Sequence, residues 1–136
     1  MSELLDTGVW LRAAAEPKSI PAAILRHLLE SDRSFYLSAI SLWEVGKKVQ
    51  IGKLNLGMDL ANWFQLALSE NLTVLPITPQ IITEAMRLRE FPNHDPADEL
   101  IVATSRVHGL TLMTTDSKLR TYQHANIKYF KPILEP

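Results

Sequence analysis

The sequence predicts an α/β fold with a mostly parallel central sheet flanked by helices. Short β-prone runs recur along the chain, segments of helical periodicity separate them, and cap or turn residues mark the junctions. Helical connections of about ten residues or more are what parallel neighbours require, and such crossovers place helices on both faces of the sheet.

The first strand is read at residues 2–5, leading into Asp6. After Pro17 and Pro21, the apolar residues Ile20, Ile24, Leu25, Leu28 and Leu29 recur at helical spacing. Residues 35–40 form an aromatic and apolar run between polar flanks, which predicts a second strand. Ser41 and Glu44 have the spacing of a capping box, so a helix is expected to open at Ser41 and to end near Gly52. An amphipathic helix follows at residues 60–68, then a third strand at Leu72–Leu75. Thr78 with Pro79 starts a helix whose apolar face is Ile81, Ala85 and Leu88, and Pro92 stops it. Asp95 with Pro96 launches another, running to Gly109. A fourth strand at residues 110–114, a short helix after Asp116 and a last strand at residues 127–130 complete the pattern.

At 136 residues the chain has the length of one domain, with 46% hydrophobic and 21% charged residues, enough for a core without staples. No repeat or linker divides residues 1–136, so a single domain is expected. The absence of cysteine excludes disulfides, thiolate zinc and a cysteine nucleophile. The longest uncharged run, residues 71–83, is short and interrupted by Pro76 and Pro79, and Glu3 and Asp6 sit in the first apolar stretch. Neither a membrane span nor a signal peptide is expected, and a cytoplasmic location is. Fourteen Lys and Arg against fifteen Asp and Glu give a net charge of −1, which alone draws no nucleic acid. Gathering four acids around a cation would leave the remaining surface mildly basic.

In open α/β sheets ligands bind outside the carboxyl ends of the strands, where strand order reverses. Asp6, Glu44, Asp98 and Asp116 are all placed to face that edge. Each has a structural explanation. Taken alone, Glu44 reads first as the capping-box partner of Ser41, and Asp116 as a helix cap. Asp98 in a first helical turn gains from the macrodipole, which balances a functional role. Asp6 differs, because an acid so early has no cap to make and is costly to bury unpaired, so function leads there. Together, four converging carboxylates repel one another unless a cation offsets them. All-oxygen donors select Mg²⁺, with Mn²⁺ as substitute, and that set suits phosphodiester hydrolysis.

At these residues the sequence resembles the PIN-domain nucleases, and among them the VapC-type toxins of prokaryotic toxin–antitoxin pairs. The resemblance is carried by Leu4-Leu5-Asp6-Thr7, by residues 38–44 with Gly52-Lys53-Leu54 after them, by Asp95-Pro96-Ala97-Asp98 running into residues 100–104, and by residues 112–116. It implies a PIN-like three-layer sandwich and a Mg²⁺-dependent endoribonuclease acting on tRNA or other structured RNA. It also implies inhibition by a cognate antitoxin protein and a homodimer. By position it assigns Asp6, Glu44, Asp98 and Asp116 to the catalytic, metal-holding cluster, with Thr114 hydrogen-bonding within it. Asp95 stays an N-cap with a supporting role open to it. One departure stands out: many close relatives carry Arg directly after the third acid, where this chain has Glu99.

Lys47, Lys48 and Lys53 are candidates for a rim that meets RNA phosphates, against a default of a solvated face. His94 reads as a surface or capping residue, and His27, His108 and His124 as incidental. Trp43 reads as a packing residue rather than a platform for a base. Trp63 and Phe64, being adjacent, are not expected to face one core together, which leaves one for a dimer interface. The competing reading is a nuclease-like fold without catalysis that binds RNA or a protein partner. A dehalogenase-type phosphatase would need a second acid where Gly8 stands, and a receiver domain a phosphoacceptor Asp after the third strand, where residues 75–78 offer none.

Overall fold

The computed structural model describes residues 2–30 and 32–134. Five strands, β1 (Glu3–Leu5), β2 (Phe35–Ser38), β3 (Leu72–Leu75), β4 (Thr111–Thr114) and β5 (Ile127–Tyr129), form one sheet in the order β3-β2-β1-β4-β5. Every strand pair is parallel. Six α-helices connect them: α1 (Thr7–Ala15), α2 (Ala22–Leu28), α3 (Ala39–Gln50), α4 (Leu60–Ala67), α5 (Pro79–Met86) and α6 (Pro96–His108).

The register explains the two cores. Leu5, Leu37 and Met113 are cross-strand neighbours on one face, with Trp10 of α1, Leu28 of α2, Val45 of α3 and Trp63 of α4 packed over them. Leu4 and Leu112 point the other way, toward Ile101 and Val102 of α6. Parallel strands buried on both faces favour adjacent apolar residues, as Leu4-Leu5 in β1 and Leu112-Met113 in β4 show between polar neighbours.

The caps of the later helices follow directly from local chemistry. Thr78 accepts from the Ile81 N–H and Asp95 from the Ala97 N–H, each just before a proline whose missing N–H costs nothing there. Gly109 closes α6 at φ 65°, a left-handed position that favours glycine.

Four sequence expectations are corrected. Helix α1 is absent from the sequence reading, and Asp6 is its N-cap, accepting from the Thr7 N–H at 2.8 Å, so Asp6 does have a cap to make. Helix α3 opens at Ala39 with Ser38 as cap, not at Ser41, because Ala39 and Ile40 continue an apolar run but already wind as the first turn. Helix α5 does stop before Pro92, but it ends at Met86 and leaves Leu88, expected on its apolar face, outside it. Trp63 and Phe64 do share one core, because both rings pack against Trp10, whose ring centroid is 5.2 Å from that of Trp63 and 6.4 Å from that of Phe64. The Trp10 indole N–H also donates to the Ala67 carbonyl at 3.0 Å, fastening α4 to α1.

Candidate functional site

Strand order reverses on either side of β1, since β2 and β3 lie to one side and β4 and β5 to the other. The crevice at the carboxyl ends of β1 and β4 is therefore where a ligand is expected. Asp6 follows β1 directly, and its backbone N–H extends the ladder by donating to the Met113 carbonyl at 2.9 Å. Its side chain is held at both oxygens: Oδ1 by the Thr7 N–H and Oδ2 by the Thr114 hydroxyl at 2.6 Å. Only 8% exposed, Asp6 has its pKa raised mainly by burial. The hydrogen bonds from Thr114 and Thr7 oppose that shift, and the charges of Asp116 and Asp95 add to it.

Thr114 also accepts from the Asp116 N–H at 3.0 Å, so one hydroxyl ties the end of β1 to the turn after β4. The Asp116 carboxylate caps the short 3₁₀ turn Ser117–Leu119 through the Lys118 N–H at 2.9 Å.

Glu44 is half-buried on α3, where Ser38 has taken the capping role, so the capping-box explanation for Glu44 falls away. Its Oε1 accepts from the Thr7 hydroxyl at 2.5 Å. Burial is the first cause of its raised pKa, followed by opposition from the Thr7 bond and reinforcement from Asp95 and Asp6, with Lys48 pulling the other way.

The Asp98 carboxyl is pushed up to about 7. Burial is the largest cause, and the negative charges of Asp6, Asp95 and Glu44 reinforce it. A hydrogen bond from Asn93 Nδ2 at 3.0 Å offsets part of the rise. Asp95 caps α6 and is exposed, yet its charge weighs on Asp6, Glu44 and Asp98 alike. Like charge thus links this edge: Asp95 weighs on Asp6, Glu44 and Asp98, and Asp6 weighs on Glu44 and Asp98. Asp116 reaches that set through Asp6. Among the described residues no three Asp, Glu or His side chains stand close enough together to form a preassembled metal cage.

Of the basic rim residues, Lys48 lies within the field of Glu44. Lys47 donates to Gln50 at 2.7 Å and stands 5.9 Å from the centre of the Trp43 ring, and Lys53 is exposed in the turn after α3. Trp43 is 60% exposed, so the expectation of a packing residue is corrected. Glu99 is half-buried in the first turn of α6, its N–H bonded to the Asp95 carbonyl at 3.2 Å. Far from this edge, His27 is not incidental: it is hydrogen-bonded to the buried Glu3.

Three participants went unnoticed in the sequence: Thr7, Ser41 and Asn93. Thr7 and Ser41 are both buried and their hydroxyl oxygens lie 2.7 Å apart. In the sequence Thr7 is only the neighbour of an acid, and Ser41 suggests a cap that Ser38 makes instead.

The pattern of the PIN domain matches residues 4–125. Ribonuclease VapC22 of Mycobacterium tuberculosis (strain ATCC 25618 / H37Rv) is 34% identical over 122 residues, spanning 89% of this chain and 92% of that protein. The fold is shared with the crystal structure of VapBC2 from Rickettsia felis bound to a fragment of promoter DNA, with TM-score 0.72, 17% identity and coverage of 95% of this chain and 98% of that one. DNA-bound VapBC from Salmonella typhimurium gives TM-score 0.70 at 18% identity, again over 95% and 98% of the two chains. With its five parallel strands, its acids at the carboxyl edge and this span of sequence likeness, the chain belongs to the PIN-domain family.

Proposed function

We propose that the protein is a divalent-metal-dependent endoribonuclease and the toxin of a toxin–antitoxin pair. The observation that carries the reading is the gathering of acids at the strand-order reversal, where burial first and then the charge of neighbouring acids raise Asp6, Glu44 and Asp98. The 34% identity to a ribonuclease supports RNA as substrate.

The donor set fits Mg²⁺ or Mn²⁺. It is all oxygen, it is acidic, and its members gain stability from any positive charge placed among them. In this reading Asp6, Glu44, Asp98 and Asp116 would hold the ion, and a bound ion would supply positive charge for the phosphate and lower the pKa of water. The chain's own residues do the rest. Thr114 fixes Asp6 relative to Asp116. Asp98, pushed up to about 7 by burial and then by the charges of Asp6, Asp95 and Glu44, is a carboxyl that gains from positive charge placed beside it. Lys48, already beside Glu44, meets a phosphate on the strand leading away from the site, with Lys47 and Lys53 further along the same rim.

The partner in this reading is an antitoxin, as the solved VapBC complexes suggest. A groove of about 710 Å³ bordered by α1, α2 and α4 is lined by Trp10, Leu25 and Leu56, with exposed Leu29, Met58 and Leu66 at its margin. Its apolar character suits a hydrophobic face of the antitoxin chain. The reading also includes a homodimer, for which exposed Ile82 and Met86, one turn apart on α5, offer an apolar contact.

The test is digestion of total prokaryotic RNA with Mg²⁺ or with EDTA, mapping new ends by sequencing. Discrete Mg²⁺-dependent cuts that vanish in Asp6→Ala support the reading. Absence of cuts from folded, partner-free protein rejects it in favour of RNA or protein binding without catalysis.

A further inference from the structure

Thr7 spends both of its hydrogen-bond donors on two different acids. Its backbone N–H goes to Asp6 Oδ1 at 2.8 Å and its hydroxyl proton to Glu44 Oε1 at 2.5 Å. A hydroxyl carries one proton, so the 2.7 Å contact with Ser41 must run from the Ser41 hydroxyl to the Thr7 oxygen. The direction of the chain is thereby fixed, Ser41 to Thr7 to Glu44. Ser41 is fully buried and Thr7 is 5% exposed, so water does not compete for these protons. Ser41 and Glu44 are one turn apart on α3, and Thr7 is the first residue of α1. Through this chain α1 sets both the rotamer of Glu44 and its separation from Asp6.

We propose that Thr7 and Ser41 are positioning residues for the metal-holding acids, a pair of hydroxyls that aims Glu44 toward the ion that Asp6 also faces. The proposal rests on the metal-dependent reading given above. A ligand carboxylate held by a buried donor loses little freedom on binding, and removing such outer partners typically weakens metal binding about 10- to 100-fold. The arrangement also explains why a serine lies fully buried inside a helix, where it would otherwise be a poor choice.

The test is Mn²⁺ binding without RNA, by calorimetry and by the rise in melting temperature over EDTA, on the full chain. Thr7→Val keeps the shape and the N–H but lacks the hydroxyl, and is expected to weaken Mn²⁺ about ten-fold. Thr7→Ser restores the hydroxyl and should bind within about two-fold of the original, while Ser41→Ala should give an intermediate loss. In a Glu44→Gln background Thr7→Val should add nothing further, since the hydroxyl acts through that carboxylate. Should Thr7→Val melt lower in EDTA yet bind Mn²⁺ as tightly as the original, the hydroxyls are merely structural and the proposal is overturned. Should the original protein itself show no Mn²⁺ binding, the metal-dependent reading fails, and this proposal with it. Ser41→Ala and Thr7→Ser keep the question open to measurement if Thr7→Val does not fold.

Discussion

Glu3 and Asp6 are both acids of the first strand region and both 8% exposed, yet the chain treats them in opposite ways. Glu3, at the amino end of β1, is partnered by the chain: His27 of α2 is hydrogen-bonded to one oxygen and the Lys128 ammonium lies 3.7 Å from the other. Asp6, at the carboxyl end, is held by a backbone N–H and a hydroxyl, and the charges that weigh on it, Asp116 and Asp95, are acids. A buried acid that only supports the fold is given its counter-charge by the chain itself. Where the chain withholds that counter-charge and adds like charge instead, the acid is left for something from solution.

This contrast can be broken most severely at Asp6. Asp6→Asn is expected to reduce RNA cleavage at least about 100-fold, measured on an RNA with a mapped cut, and Glu3→Gln to leave it within about two-fold. If Glu3→Gln is equally inactive while folded, the division of labour is wrong. Stability should move in the reverse sense. Glu3→Gln weakens the bond to His27 and removes the ion pair with Lys128 and is expected to cost about 1 kcal/mol in urea unfolding, whereas Asp6→Asn in EDTA should be neutral or stabilising.

A smaller effect concerns pH. The Asp98 carboxyl has a raised pKa in the folded protein, about 7, against an ordinary unfolded value near 3.8. The folded state thus holds its proton more tightly, so its contribution to stability is present below pH 4 and is lost as pH rises toward and through 7. The melting temperature in EDTA should fall between pH 5 and pH 8, and Asp98→Asn should flatten that slope. Added Mn²⁺ should restore the loss at pH 8 in the original chain and much less in Asp98→Asn, which differential scanning fluorimetry reads directly. The smallest effect is on the basic rim: Lys48→Ala should lower the slope of log affinity for RNA against log salt by about 1, whereas Lys128→Ala, at the Glu3 end, should not change it.

How much of this could be read before folding depends on the range over which each signal acts. Helices α5 and α6 were legible because Thr78-Pro79 and Asp95-Pro96 write their caps in adjacent letters, and Gly109 writes the stop. Helix α1 was not, because its cap is Asp6, a residue whose site role hid its local one, and Thr7-Gly8-Val9 makes a weak helical opening. The acids were legible because residues just past a parallel strand fall on one edge whatever the details. The hydroxyls that organise them were not. Thr7 meets Ser41 and Glu44 across 34 and 37 positions, and no local spacing encodes such a meeting. Trp43 misled for a related reason, since only the packing of α3 decides which of its apolar residues is turned outward.

The bond between Thr114 and Asp6 joins residues 108 positions apart, at the middle of the sheet. A ribosome makes β1 first, but β1 acquires its β4 neighbour only after β2, β3 and the helices between have emerged. Closing so long a loop is slow, and parallel sheets of high contact order gather their distant contacts late. Any chemistry that depends on Asp6 held by Thr114 is therefore silent in the nascent chain and begins only once β4 has been synthesised and docked.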